Sequence, residues 1–403
     1  MAGDGDRALI VGGGLGGIST ALALRRRGFD VALFERGPRF MEVGAGLGIW
    51  MNGMRAMQEL GLAEALVAAG SPNEFVEIRS HRGPQLLELK VGELARKYSV
   101  RPPLMIKRPE LMGVLAEALE DGIARFGATC VGYEQDDSGV TARFEDGSEE
   151  RGAILVAADG LTSGLRATAV PGVEPEYQGY HYLRALVERE SPFPKERFVF
   201  IWGPGDRFGF SDVGGGSTYW FCVVMAPNEN MGVGEDPKQE GLGRYGNFPD
   251  YVGELIESTP AEAISRVDIK ALKPMESWSD GRVVLIGDAA HATAPTGGRG
   301  AGEALEDSVV LADCLGGPEG LADGERVRSA IRRFEERRRP ETTKVQKEAQ
   351  RNSKIGSWSN PVATRMRDQI IKRIIARAMP KEIESDLRDG AGHATAGSPG
   401  ATG

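Results

Sequence analysis

Hydrophobic positions fall into two kinds of run along the chain, and each kind predicts a different element. Residues 8–11 and 31–34 are unbroken apolar stretches, and 282–286 is apolar after Arg282, the pattern of short parallel strands buried on both faces. Between the first two, Ile18, Ala21 and Leu22 share one helical face, so 18–27 reads as a helix. The stretches 74–80 and 85–91 alternate or run apolar around His81-Arg82-Gly83-Pro84, a hairpin signal that makes His81 a solvated turn residue. Strands are expected at 129–133, 140–144 and 153–157, with turns at Asp136-Asp137-Ser138-Gly139 and Glu145-Asp146-Gly147. They imply antiparallel hairpins inserted into a parallel fold. A denser block follows at 180–187, 197–202, 207–213 and 218–224, with Gly-Pro-Gly and Gly-Gly-Gly turns. Phe198, Phe200, Trp202, Phe208, Phe210, Tyr219, Trp220 and Phe221 crowd it, so it reads as one antiparallel sheet with an aromatic face, most of it core.

Helices are expected at 53–60, at 107–119 with Pro109 and Glu110 in the first turn, at 302–314, and through the charged stretch 326–351. Asn360-Pro361 then breaks the chain before a helix over 364–379. There Ile370, Ile371, Ile374 and Ile375 oppose Arg365, Arg367, Lys372, Arg373 and Arg377. Docking of that helix onto the core is favoured over a place on a membrane surface.

The chemistry begins at the first turn. Gly12, Gly14 and Gly17 stand at G-x-G-x-x-G spacing between the first strand and the first helix, and Glu35 ends the second strand. Gly12 permits the tight turn, Gly14 lets the backbone approach a pyrophosphate, and Gly17 lets helix and strand pack. Unpaired N–H groups at the helix start then face the phosphates. Glu35 lies at the distance of a carboxylate that bonds the adenosine ribose. Strand, helix and acid together disfavour a glycine-rich loop without a ligand, but they leave FAD and NAD both open. The expected fold class is α/β: a Rossmann-type nucleotide-binding domain with an inserted antiparallel-sheet substrate domain and C-terminal helices. The nucleotide domain is expected at 1–75, 96–172 and 273–345, and the sheet domain at 76–95 and 173–272. C-terminal helices are expected at 346–387. A disordered tail rich in small residues, holding His393, is expected over 388–403.

Composition narrows the function classes. The chain of 403 residues is 41% hydrophobic and 27% charged, ordinary for a globular protein with a sizeable core. A net charge of −9 disfavours nucleic acid as a partner. Cys130, Cys222 and Cys314 form neither a disulfide framework nor a zinc pattern. No run of ~20 apolar residues exists to span a membrane. Asp4 and Asp6 precede the apolar stretch where a signal peptide carries basic residues. A cytoplasmic protein, monomeric or homodimeric, is the expectation.

Two later motifs decide the cofactor. One runs Asp159-Gly160-Leu161-Thr162-Ser163-Gly164-Leu165-Arg166, matching D-G-x-x-S-x-x-R. The other runs Gly287-Asp288-Ala289-Ala290-His291, then Pro295, Gly298-Arg299-Gly300 and Glu306-Asp307. With the glycine turn they resemble class A flavoprotein monooxygenases, the family that includes p-hydroxybenzoate and salicylate hydroxylases. The resemblance implies FAD held by Gly12, Gly14, Leu15, Gly17, Glu35 and Arg36, with Asp159 and Gly160 serving the cofactor pocket. It implies Asp288 on the ribityl chain and Arg108 on the ribityl or phosphate part. The loop 42–52, with Gly46, would lie along the flavin ring, and Pro295, Gly298, Gly300 and Ala301 would approach it from below. His291 would order that loop rather than act as a base. Four positions depart from the family pattern: Met51, Lys107, Arg299 and Gly302. Arg299 would add a cation near the flavin, and Gly302 would remove a polar contact.

The activity that the resemblance implies uses NADH or NADPH to reduce FAD, and O₂ to form a C4a-hydroperoxide that hydroxylates a small aromatic or other electron-rich molecule. Epoxidation by the same species and a non-turnover flavin sensor are the alternatives. A halogenase is disfavoured because no W-x-W-x-I-P segment is present. Phe208, Phe210 and Asp212 share one face of a strand and are candidates for the substrate side, with Arg184, Tyr219 and Pro295.

Overall fold

A computed structural model describes residues 7–40 and 45–394, with side chains as far as Arg388. Strand Ala8–Val11 lies inside a six-stranded sheet ordered Ser279–Asp280, Val283–Leu285, Ile154–Ala157, Ala8–Val11, Val31–Glu35, Ala124–Phe126. Pairing is parallel except at the Ser279–Asp280 edge. Every residue of Ala8–Val11 and Ile154–Ala157 is buried, which explains why these strands read as unbroken apolar runs. The run at 153–157 therefore belongs to the parallel sheet and not to a hairpin. The neighbouring antiparallel ribbon is Cys130–Asp136, Gly139–Phe144 and Glu149–Gly152. The fold class is the expected one.

The second large sheet has seven strands, ordered Ser265–Ala271, Glu176–Val187, Thr218–Met225, Arg207–Asp212, Arg197–Trp202, Phe75–Ser80, Gln85–Leu89. The hairpin of the last two joins parallel to Arg197–Trp202. His81, at its turn, is half-buried with its ring 5.9 Å from that of Phe248, so it is not the solvated residue expected. Burial pushes its pKa down, with Arg82 adding to the effect.

Helices Pro237–Tyr245 and Asp250–Glu257 cover one face of this sheet, and that decides which aromatics are core. Phe208 and Phe210 are fully buried there with Trp220, Cys222, Tyr245, Val252 and Leu255. Asp212, on the same face, accepts a hydrogen bond from the Gly214 N–H at 2.9 Å. Successive residues of a strand point to opposite faces, so Tyr219 and Phe221 face the other way, toward the nucleotide domain. Tyr219 clusters there with Ala45, Met105 and Val213. The substrate-side candidates therefore separate: Arg184 and Tyr219 share the inner face, while Phe208, Phe210 and Asp212 belong to the helix-covered core.

Helix Gly300–Leu315 packs on Leu15–Arg26 and on Met51–Glu59. The charged helix Gly324–Gly356 follows. The single helix expected at 364–379 is three elements: Pro361–Ile370, a π turn Ile371–Ile375, and Ala376–Ala394. Asn360 caps the first by accepting from the N–H groups of Val362 and Ala363. The last helix carries order past Arg388 to Ala394, further than the composition suggested. The remainder of the expected tail lies outside the described residues.

Phe210→Ala should lower unfolding stability by about 3–5 kcal/mol, the cost of a cavity under well-packed helices. Urea melts check this, and FAD affinity per folded molecule should be unchanged.

Candidate active site

Three loops converge at the carboxyl ends of the central parallel strands, where open α/β sheets bind ligands. In the first, packing requires two of the three glycines. A Cβ on Gly12, at φ +108°, would lie 2.3 Å from the Ala158 carbonyl oxygen. One on Gly17 would lie 1.8 Å from the Gly12 oxygen. Gly14 differs: its Cβ position meets nothing within 4 Å. It caps helix Leu15–Arg26 without a side-chain hydrogen bond, so the first-turn N–H groups face open space. Glu35 braces the turn, accepting from Gly13 N–H at 2.6 Å and Gly37 N–H at 2.7 Å. Leu15 is half-buried in the first helical turn and Arg36 is exposed beside the acid.

The second loop carries Asp159. Its Oδ2 accepts from Leu165 N–H at 3.3 Å, while Oδ1 is buried without a partner among the described residues. Gly160 follows at φ +81°. Ser163 caps the next helix by accepting from Arg166 N–H at 2.9 Å. Arg166 is itself buried, and its guanidinium donates to the carbonyls of Leu161, Val173 and Ala289. The arginine of the second motif thus holds the third.

The third loop is fixed from behind. Asp307 accepts from Gly287 N–H at 2.8 Å and lies 2.6 Å from His291 Nε2. Its other oxygen accepts from Arg338 Nε at 2.8 Å. Burial alone would raise the Asp307 pKa, but His291 and Arg338 outweigh it and hold it at about 2. Burial opposes charge on His291 too, yet Asp307 raises its pKa. An imidazole committed to that ion pair orders the loop.

Asp288 points the other way, exposed to the water of the cleft. The protein walls around it still penalise its charge and raise its pKa, with His291 and Arg108 acting in opposition. Arg108 is pushed down by burial and by Arg184, and is supported by Asp288. The fold therefore brings Arg108, Arg184 and Asp288 into one electrostatic group. Tyr219 joins it: burial pushes its phenol up to about 12, against the pull of Arg184. Its ring covers Gly46, where a Cβ would lie 2.4 Å from Tyr219 Cγ. Pro295 is exposed, Gly298 adopts φ +65°, and Gly300 and Ala301 start the following helix. Residues 42–44 of the expected flavin loop lie outside the described residues.

Two expectations about the departures are corrected. Arg299 does not present its charge to the cleft; it pairs with Glu303 and, at 2.8 Å, with Asp386 of the last helix. Gly302 leaves no gap, because its Cβ would lie 2.3 Å from Asn52 Oδ1. Asn52 occupies that space, donating to Glu303 at 2.9 Å and Glu306 at 3.2 Å.

Sequence reasoning missed Arg207. It is fully buried on the inner face, level with Val223, and none of its guanidinium nitrogens has a hydrogen-bond partner among the described residues. It lies 5.9 Å from the Tyr180 ring centroid and against Gly356, where a Cβ would be 2.5 Å from Nη1. The Tyr182 hydroxyl and Trp202 Nε1 are also buried without partners. A cation two residues before Gly209 in an aromatic-rich strand was the available signal.

Arg338→Leu should destabilise the protein by about 3–5 kcal/mol, because Asp307 and Glu303 would remain buried without their cation. Thermal melts of variant and parent check this.

An orphaned Asp159 oxygen, the open Gly14 turn and the exposed Asp288 carboxylate fit FAD stretched across the three loops. Residues 7–349 match the family described as an FAD binding domain. The chain is 34% identical over 380 residues to the aurachin C monooxygenase/isomerase of Stigmatella aurantiaca, covering 94% of this chain and 97% of that protein. It is 33% identical over 350 residues to the 3-amino-4-hydroxybenzoate 2-monooxygenase of Streptomyces cremeus, covering 86% of each. Among solved structures, Klebsiella pneumoniae HpxO complexed with FAD and uric acid superposes with a TM-score of 0.87 at 25% identity, over 95% of this chain and 97% of that one. The chain belongs to the FAD-binding family of class A flavoprotein monooxygenases.

Proposed function

We propose that this enzyme hydroxylates a small aromatic molecule carrying an anionic group, using NADH or NADPH and O₂. The observation that carries the reading is Arg207: a buried guanidinium without a counter-charge, on the sheet face that looks toward the cofactor loops. A buried charge of this kind costs several kcal/mol unless paired, and a substrate carboxylate or enolate supplies the pair. The relative named for 3-amino-4-hydroxybenzoate acts on a ring that bears a carboxylate.

The protein's part is to bind, orient and exclude water. Gly12 makes the tight turn, its own N–H donating to the Phe34 carbonyl, and Gly14, Leu15 and Gly17 present backbone N–H groups to the pyrophosphate, with Glu35 and Arg36 at the adenosine ribose. Asp159 and Gly160 close the pocket, and Asp288 with Arg108 takes the ribityl hydroxyls. Pro295, Gly298, Gly300 and Ala301 form the loop below the ring. Helix Gly300–Leu315 directs its positive end there, favouring an anionic reduced ring. Bound FAD, reduced by the nicotinamide cofactor, supplies an electrophilic oxygen from O₂. Arg207 takes the substrate's anionic group, with the Tyr182 hydroxyl and Trp202 Nε1 as further donors. Arg184 and Tyr219 line the side nearest Gly46. Phe198 and Phe221 make that wall apolar, which keeps water from the reacting atoms.

Gly14→Val should fold normally, since its Cβ meets no protein atom, yet fail to retain FAD because the side chain fills the pyrophosphate's place. Absorbance of the purified variant at the flavin band, beside its melting curve, decides. For turnover, a panel of aromatic acids is screened for stimulated NAD(P)H oxidation and for products heavier by one oxygen atom. Arg207→Met should raise KM for the responding acid about tenfold to a hundredfold, the worth of a charged hydrogen bond, with FAD affinity unchanged. Equal KM values would remove Arg207 from the substrate site.

A further inference from the structure

The segment after the charged helix exposes a continuous apolar stripe. Trp358, Val362, Met366, Ile370 and Ile374 recur every fourth residue, and each is between 39% and 64% exposed. A four-residue repeat drifts around a straight α-helix. The wider π turn at Ile371–Ile375 offsets that drift over the last step, from Ile370 to Ile374. The opposite side of the segment already holds it to the fold. Ile371 is buried in the main core, and Thr364 and Arg367 are buried beside it. Arg367 donates to the Gly203 carbonyl at 3.0 Å and lies 5.3 Å from the Trp202 ring. Docking onto the core therefore accounts for one face only.

The exposed face has a distinctive charge. Arg365, Lys372, Arg373 and Arg377 are all exposed along it. The one acidic residue within 361–380, Asp368, bonds the guanidinium of Arg367. This cationic strip stands on a chain with net charge −9. Apolar side chains enter the acyl boundary of a bilayer, basic ones meet lipid phosphates, and tryptophan sits at headgroup level. Two-fold pairing with a second copy would instead bring identical cations face to face.

We propose that the segment 358–377 docks this enzyme on an anionic phospholipid surface. The contact is peripheral: among the described residues no helix is long and apolar enough to cross a membrane. It also seats the end of the sheet that carries Trp202 and Arg207 beside the lipid, since Arg367 ties that end to the docking helix.

The test is co-sedimentation of the FAD-loaded enzyme with vesicles of phosphatidylcholine alone and of phosphatidylcholine mixed with phosphatidylglycerol. Binding is expected only to the mixed vesicles and should weaken as salt is added. Ile370→Glu combined with Ile374→Glu, and separately Arg373→Glu combined with Arg377→Glu, should each reduce partitioning about tenfold or more. Flavin absorbance and NAD(P)H oxidation in solution should stay at parent values, because these side chains are exposed. Three results would overturn the proposal: no pelleting with either vesicle, equal binding to both, or undiminished binding by the two variants. A dimer in light scattering that dissociates in the Ile370/Ile374 variant, without vesicle binding, would assign the stripe to self-association instead.

Discussion

One buried cation holds the cofactor side of this protein together. Arg338, on the charged helix, is 1% exposed and lies against Glu303, Glu306, Asp307 and Glu341. Three of these carboxylates lead onward. Asp307 reaches Gly287 and His291 and so sets the loop that presents Asp288. Glu303 and Glu306 receive Asn52, in the first turn of helix Met51–Glu59 that follows the strand Gly46–Ile49. Glu303 also pairs with Arg299, which continues to Asp386 in the last helix. Such a cluster is a poor source of net stability, because desolvation offsets most of the attraction. What it provides is position: Arg338 cannot leave without stranding Glu303 and Asp307 in a dry interior.

The second constraint is that the seven-stranded sheet must bury one face in its own helices and offer the other to the cofactor. Phe208 stacks on Trp220 at 5.6 Å under helix Pro237–Tyr245, and the Tyr245 hydroxyl bonds the carbonyls of Arg207 and Val223. That side is a finished core. The inner side carries Tyr182, Tyr219 and Phe221 together with groups left unsatisfied. A sheet with one complete face and one incomplete face is what ligand binding between two layers requires.

The parallel strands at 8–11, 31–34 and 282–286, the glycine turn and the two later motifs were legible because each is local: an apolar run, a fixed spacing, a capped turn. What failed was nonlocal. Alternation in 207–213 shows that Phe208 and Phe210 share a face, but only the helices Pro237–Tyr245 and Asp250–Glu257 determine that the face is closed. Pro237–Tyr245 holds Gly241 and Gly243 among mostly polar residues, and Asp250–Glu257 sets Val252, Leu255 and Ile256 at helical spacing over only eight residues, so both were passed over in the sequence. Arg299 read as an added cation and Gly302 as a lost contact near the flavin because the partners that account for them, Asp386 and Asn52, are far away in sequence. The isoleucine-rich segment 364–379 read as one amphipathic helix, but the π turn divides its isoleucines between the core and the surface.

Arg207 and the segment 358–377 are linked by the same physical logic. Arg367 is half of the connection, bridging the docking helix to Gly203 and Trp202. Gly356 is the other half, leaving room for the Arg207 guanidinium only because it lacks a side chain. The free enzyme thus keeps an unpaired cation in its sheet and closes that end with a helix whose outer face is incomplete too. A ligand that satisfies Arg207 stabilises the folded state by mass action, and its effect is largest where the free state is most frustrated. The same reasoning separates these arginines from the many others on the surface. Arg96, Arg101 and Arg244 each have a carboxylate partner and partial access to water, so their removal costs little. Arg207 has neither, and a charge kept in that condition points to a partner that arrives with the substrate.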